Sequence, residues 1–265
     1  MLLCAVTLFF VACNKEDDNP SPANPVNPVN PVDPSDTTQV DPLTDGLIPN
    51  AVTDIDGNSY DAVRIGNQVW MASNLRTTRF ANGEAIPEGQ PTTSTEPYRF
   101  TLSTDEAEYG YLYNWAAVMH GDESSNANPS GVQGVCPDGW HVPSDEEWTQ
   151  LTDYVKSHSE YVCSGTARNI AKALAGDHGW QITNDEECAV GNNQSSNNST
   201  GFSALPAGLC NGSGYGYFGV NAYFWSTTKL SSTNVYTRTL YYDSALVGRT
   251  NYPKATGVSV RCVKD

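Results

Sequence analysis

Cys136-Pro137-Asp138-Gly139-Trp140-His141-Val142-Pro143-Ser144-Asp145-Glu146-Glu147-Trp148 runs into the clearest helix start in this chain. Ser144 and Glu147 have the spacing of a capping box, in which the serine oxygen accepts from the Glu147 amide and the carboxylate accepts in return from the Ser144 amide. Asp145 and Glu146 then lie against the positive end of the helix dipole. Trp148, Leu151 and Val155 recur at helical spacing and mark the face to be buried. His141, just ahead of the cap, is expected to pack and hydrogen-bond rather than to ligate a metal.

Upstream of this helix, strands are expected at 51–55, 60–65 and 68–72, because Asp56-Gly57 and Gly66-Asn67 supply the positive φ angles of tight hairpins. They form a meander. The stretch from Tyr109 to Met119 passes from aromatic to helix-forming residues and predicts a short helix at its end. Downstream, a second main helix is expected over 167–175, stopped by Gly176, and strands follow at 224–228, 235–242, 246–250 and 257–263. Helices in the middle and short antiparallel strands at both ends describe an α+β domain whose terminal strands lie close together.

The folded region is expected over 47–265, and what precedes it is of another kind. Asn24-Pro25-Val26, Asn27-Pro28-Val29 and Asn30-Pro31-Val32 repeat as triplets, and proline at every third position blocks helix and sheet pairing. Residues 13–46 are therefore expected to be a disordered, extended linker. At roughly 3.1 Å per residue it would reach on the order of 100 Å. The apolar run from Leu2 to Ala12 is too short to span a bilayer, which takes roughly 20 apolar residues, and residues 1–12 are expected to be a signal segment. Ala12-Cys13, followed at once by Asn14-Lys15-Glu16-Asp17-Asp18, resembles a bacterial lipobox, although the run opens without Lys or Arg and has Phe10 where Leu is usual. The alternative is an uncleaved buried segment. The resemblance implies acyl chains (palmitate) on Cys13 and membrane attachment through them, at about 0.8 kcal/mol per buried methylene. The acidic stretch after Cys13 is similar to the export tag that places lipoproteins of Bacteroidetes-type bacteria on the outer face of the outer membrane.

With 30 acidic and 14 basic residues, the net charge of −16 repels phosphate backbones, and nucleic acid is not expected as a partner. Beyond Cys4 and Cys13, the cysteines are Cys136, Cys163, Cys188, Cys210 and Cys262. None falls in a C-x-x-C pair, so a zinc ribbon or thioredoxin-like motif is not expected; an exported chain should instead form disulfides, with one cysteine left over.

Several blocks taken together resemble the Fibrobacter succinogenes major paralogous domain. They are Asp56-Gly57-Asn58-Ser59-Tyr60, Ile65 to Leu75, Gly110 to Trp115, Cys136 to Trp148, Gly201 to Gly208, Phe224 to Thr228 and Val258 to Val263. The segment Trp140 to Trp148 is also similar to the corresponding helix start in formylglycine-generating-enzyme-like proteins, which implies a C-type-lectin-like fold. That likeness implies a Cys136–Cys262 disulfide, a local Cys163–Cys188 staple around the second helix, and Cys210 left free as a small core residue.

Catalysis is not expected. The copper site of formylglycine-generating catalysts needs closely spaced cysteines, and His120, His141, His158 and His178 are scattered without a ligand spacing. Asp145, Glu146 and Glu147 are explained by the cap rather than by a glycosidase pair. The sugar-binding triplets of calcium-dependent lectins are missing, and Asp185-Glu186-Glu187 with the loop from Gly191 to Asn198 lacks the spacing of a calcium loop, so neither metal nor cofactor is expected.

The remaining signal is aromatic. From Gly212 to Phe224, glycines alternate with Tyr215, Tyr217, Phe218 and Tyr223, and Tyr236, Tyr241, Tyr242 and Tyr252 follow in the strand region. Rings flanked by small residues suit stacking on sugar faces or anchoring a protein interface, though alternation turns half of strand residues to the core. Tyr215, Tyr217, Phe218, Tyr241 and Tyr242 are the expected ligand-binding set. The expectation is a non-catalytic surface lipoprotein binding a glycan or protein, an adhesion role; the alternatives are a structural subunit of an envelope or fimbrial assembly and, last, an enzyme.

Overall fold

The computed structural model describes residues 46–89, 93–102 and 106–265, so the signal segment, Cys13 and nearly all of the expected linker lie outside the described residues. The strands in chain order are β1 (Gly46–Thr53), β2 (Ser59–Ile65), β3 (Gln68–Met71), β4 (Arg99–Phe100), β5 (Leu112–Tyr113), β6 (Trp140–His141), β7 (Leu209–Asn211), β8 (Gly214–Gly216), β9 (Asn221–Lys229), β10 (Asn234–Tyr241), β11 (Gly248–Pro253) and β12 (Val263–Lys264). The α-helices are α1 (Glu106–Tyr109), α2 (Trp115–Met119), α3 (Asp145–Ser157) and α4 (Ala171–Leu174). Among the described residues no helix is long and apolar enough to cross a membrane.

The class is α+β, and its two larger sheets have the orders β1-β2-β3-β12-β6 and β11-β10-β9. The expected meander forms β1, β2 and β3, and the last strand pairs with β3, which brings both ends of the folded region into one sheet. Period-two alternation then divides the interior. Tyr60 and Ala62 of β2, with Tyr223 and Trp225 of β9, belong to one core beside Trp115 and Val118 of α2. Val63 and Ile65, with Ala222 and Phe224, belong to a second core beside Trp148, Leu151 and Val155 of α3. Both strands thus bury side chains on both of their faces.

The capping box forms as its spacing predicts: Glu147 N donates to Ser144 Oγ at 3.1 Å and Ser144 N donates to Glu147 Oε2 at 2.9 Å. Buried tryptophans join the layers through their indole N–H groups, which cannot be left unpaired in the interior without cost. Trp225 donates to the Tyr113 carbonyl at 2.7 Å and Trp148 to the Trp225 carbonyl at 3.2 Å. Trp70 and Trp148 pack at 4.5 Å between ring centroids.

Several elements differ from expectation: the strands expected over 51–55 and 246–250 form as Gly46–Thr53 and Gly248–Pro253. The second main helix is only Ala171–Leu174, because Ala175 turns extended and bridges to Ala204. Gly176 does not cap it in a left-handed conformation; it permits close approach, since a Cβ there would lie 2.8 Å from Leu205. The strand expected over 257–263 is reduced to β12, for the segment before it changes neighbours at almost every residue: Gly257 bridges to Cys210, Val258 to Tyr113 and Ser259 to Phe224.

The disulfides are Cys136–Cys262, joining residues 126 apart in sequence, and Cys163–Cys188, 25 apart. Cys210 is buried and free. Closing a loop of the longer size removes denatured-state entropy equivalent to about 4–5 kcal/mol in the chain-entropy model.

Candidate functional site

The glycine-aromatic stretch that begins at Gly212 opens within a tight hairpin whose first strand starts at Leu209. Leu209 pairs with Gly216, Cys210 with Tyr215 and Asn211 with Gly214, and Asn211 Oδ1 accepts from Ser213 N at 2.9 Å across the turn. The hairpin is fastened to the domain where Cys210 and Gly257 exchange both backbone hydrogen bonds, at 2.9 and 2.7 Å. A Cβ on Gly208 would meet the Gly216 carbonyl oxygen at 2.3 Å, so only glycine allows the strand to pass this close.

Three expected site residues project from this hairpin and the turn after it: Tyr215, Tyr217 and Phe218 are 54%, 55% and 41% exposed. Tyr217 holds a left-handed φ of 62°, a conformation that costs a non-glycine residue about 1–3 kcal/mol and persists only where its surroundings enforce it. Here they do, because its carbonyl accepts from both Val220 N and Asn221 N at 3.0 Å. Behind the exposed rings stand supporting ones. Phe218 packs on Tyr109 at 4.9 Å, Tyr217 meets Tyr223 edge-on at 6.3 Å, and Tyr223 meets Tyr252 at 5.1 Å.

Tyr241 and Tyr242, expected in the same set, part company. Half-buried Tyr241 stands on β10 in register with Asn221, and its hydroxyl is pushed up by burial and then by nearby Tyr223. Tyr242 packs against the core that contains Trp148 and Phe224. Adjacent residues at a strand end face opposite ways. Tyr223, whose fate alternation left open, is buried.

The chemistry of the hairpin is that of neutral rings. Burial, and then the adjacent Cys210 thiol, push the Tyr215 hydroxyl up to about 12. Burial likewise pushes up the Cys210 thiol, which removes thiolate character at neutral pH. The surface therefore offers apolar ring faces, hydroxyl donors and acceptors, and no nucleophile.

Elsewhere several titratable side chains serve the fold. Buried His141 has both ring nitrogens occupied, Nε2 with Glu147 Oε1 and Nδ1 with Asp265 Oδ1, each at 2.7 Å. Glu147 Oε2 also accepts from Ser130 N at 3.1 Å, so one carboxylate closes the cap, the histidine and a neighbouring loop. Asp145 does more than sit at the helix dipole: it receives Arg238 of β10 and Arg249 of β11, which ties α3 to the three-stranded sheet. Burial acts to raise its carboxyl, but the Arg249 and Arg238 contacts outweigh this and hold it below the usual range.

Sequence reasoning missed Arg261, which is fully buried and among the described residues has no carboxylate partner. It donates to Asn74 Oδ1 at 2.8 Å and to the carbonyls of Met71, Phe202 and Ser203, with its guanidinium over the Phe202 ring. Among the described residues no group of three or more His, Cys, Asp or Glu side chains is arranged to hold a metal ion.

The fold and these contacts define an α+β domain with two disulfides, layered on buried tryptophans and carrying an exposed aromatic hairpin. The chain belongs to the Fibrobacter succinogenes major domain family, whose model matches residues 63–264, from within β2 to the end of β12. No curated protein and no solved structure matches it.

Proposed function

We propose that this protein is a lipoprotein of the outer membrane, held by acyl chains on Cys13 and facing the cell exterior, whose C-type-lectin-like domain binds an extracellular glycan or protein without catalysis. The observation that carries the binding reading is the exposure of Tyr215, Tyr217 and Phe218 on a hairpin whose backbone is fixed. Rigid rings contribute large contact area at low entropic cost, and a non-glycine residue held at positive φ is the kind of strain that collects at recognition sites. The lectin-like reading is supported by the meeting of first and last strands in one sheet and by the disulfide closing the long loop between Cys136 and Cys262.

A glycan array, followed by titration of the strongest hit, tests the reading. The paired change Tyr215→Ala and Tyr217→Ala should weaken binding by about 1–3 kcal/mol, within the range of interface hot spots, while leaving the melting temperature nearly unchanged. A large fall in melting temperature, with normal binding by the protein that stays folded, would place the ligand elsewhere.

A further inference from the structure

Basic residues are scarce in this chain, 14 against 30 acidic, yet Lys156, Arg168, Arg238 and Arg249 line one cavity of about 390 Å³. Three separately built segments bring them together. Helix α3 presents Lys156 on the face that also carries Thr149 and Thr152. The sheet supplies Arg238 and Arg249, which stand directly opposite each other on β10 and β11. Arg168 comes from the loop stapled by Cys163–Cys188, and that loop is tied to the β10–β11 connection where Ala171 N donates to the Ala245 carbonyl at 3.0 Å.

Like charges directly opposite across a strand pair destabilise a sheet unless something neutralises them. Asp145 neutralises one: its carboxylate lies between the two guanidinium groups and takes hydrogen bonds from both. One positive charge of that trio remains. Lys156 pairs with Asp153 at 2.9 Å, an exposed contact that contributes little. Arg168 is exposed, and among the described residues its guanidinium has no hydrogen-bond or ion-pair partner. The cavity thus holds an excess of cations in a strongly acidic protein, and Leu246 and Val247 give it an apolar wall.

We propose that this cavity binds a small organic acid, its carboxylate received by Arg168 and the outward side of Arg249 with Lys156 beside them, and its carbon frame resting on Leu246 and Val247. The fold needs only one arginine to match Asp145. Arg249, half exposed, is set in place before any ligand arrives, because Asp145 grips one side of it and the Tyr236 ring lies 3.6 Å beneath. A fixed guanidinium fork matches a carboxylate in two parallel hydrogen bonds and loses little freedom on binding. The volume falls within the roughly 300–1,000 Å³ of small-molecule sites. None of its lining residues belongs to the aromatic hairpin, so this site is separate from the function proposed above.

Amide chemical-shift titration of the ¹⁵N-labelled, disulfide-intact protein tests the assignment with D-glucuronate, D-glucose and acetate. D-Glucuronate should give saturable shifts around the cavity, and D-glucose, which lacks the acid, and acetate, which lacks the frame, should each bind about tenfold more weakly or worse. Arg168→Gln should weaken D-glucuronate about tenfold without lowering the melting temperature, since the side chain supports nothing else. Lys264→Gln, which removes an equal charge outside the cavity, should leave binding unchanged. The proposal is overturned if D-glucuronate gives no saturable shifts, if D-glucose or acetate binds as well as D-glucuronate, or if Lys264→Gln is as damaging as Arg168→Gln.

Discussion

Glu147→Gln removes a charge from the interior while leaving its hydrogen-bonding frame in place. Oε2 of Glu147 accepts from Ser144 N and Ser130 N at 2.9 and 3.1 Å, and a glutamine oxygen can go on accepting both. What is lost is the carboxylate 2.7 Å from His141 Nε2, on a histidine whose side chain is only 4% exposed. A charge-assisted hydrogen bond contributes about 1.5–3 kcal/mol, so the variant should be about 2 kcal/mol less stable near pH 5.5. The loss should shrink as pH rises. Burial, the largest influence on His141, lowers its pKa, but Glu147 and Asp265 outweigh it and the net value is raised above 6.5. A raised folded-state pKa contributes stability that is fully present below the unfolded value, about 6.5, and is lost as pH climbs through the folded value. Wild-type stability should therefore fall above about pH 6.5, with a slope from this group of at most about 1.4 kcal/mol per pH unit, and the variant's profile should be flatter. Urea unfolding with the disulfides intact, repeated across this range, measures it. A His178→Asn background is used for both proteins, because the Asp177 hydrogen bond, and after it Glu108, raise that exposed imidazole as well. A gap between the two proteins that stays constant with pH would refute the reasoning.

Non-reducing peptide mapping should recover Cys136–Cys262 and Cys163–Cys188, with Cys210 alkylated only after unfolding; a Cys210 bridge as the major species contradicts this. The paired change Cys136→Ala and Cys262→Ala should cost about 4–5 kcal/mol in urea unfolding, from the entropy of the long loop alone. Arg261→Leu leaves Asn74 Oδ1 and the carbonyls of Met71, Phe202 and Ser203 without their donor, and a loss of about 3 kcal/mol or more is expected; a change below about 1 kcal/mol would mean that water replaces the guanidinium. Cys13→Ala should abolish metabolic labelling with a fatty-acid analogue, and unchanged labelling would rule out that anchor.

The parts of the fold legible in the sequence are those decided by neighbours in the chain. Ser144 and Glu147 form their cap, and Trp148, Leu151 and Val155 face the core, because a few residues within one helix carry all the information. Gly57 and Gly66 mark the turns of the first three strands through their positive φ. The helix expected over 167–175 is cut to Ala171–Leu174 because a bridge from Ala175 to Ala204 overrides alanine's local preference. Strands of three residues, as in the hairpin at 209–216, are too short for alternation to register, so their rings were visible and their scaffold was not. The Asp145–Arg238–Arg249 cluster and the cavity beside it join residues from distant parts of the chain, and no local pattern announces such a meeting. The disulfide partners became legible only through the family resemblance.

The Cys136–Cys262 bridge also sets how the protein behaves under mechanical load. A pull applied between the start of β1 and the hairpin at Tyr215 and Tyr217 carries force from β1 into the region between the two bridged cysteines. Inside that closed ring the force divides between two arms. The arm running back from Cys262 to the hairpin is the shorter, and it becomes taut first. The length that unravelling can release is therefore set by this arm and the stretch ahead of Cys136. In the other arm the Cys163–Cys188 bridge carries the force past the loop that it closes, so that loop, α4 included, bears none of the load while the second bridge holds.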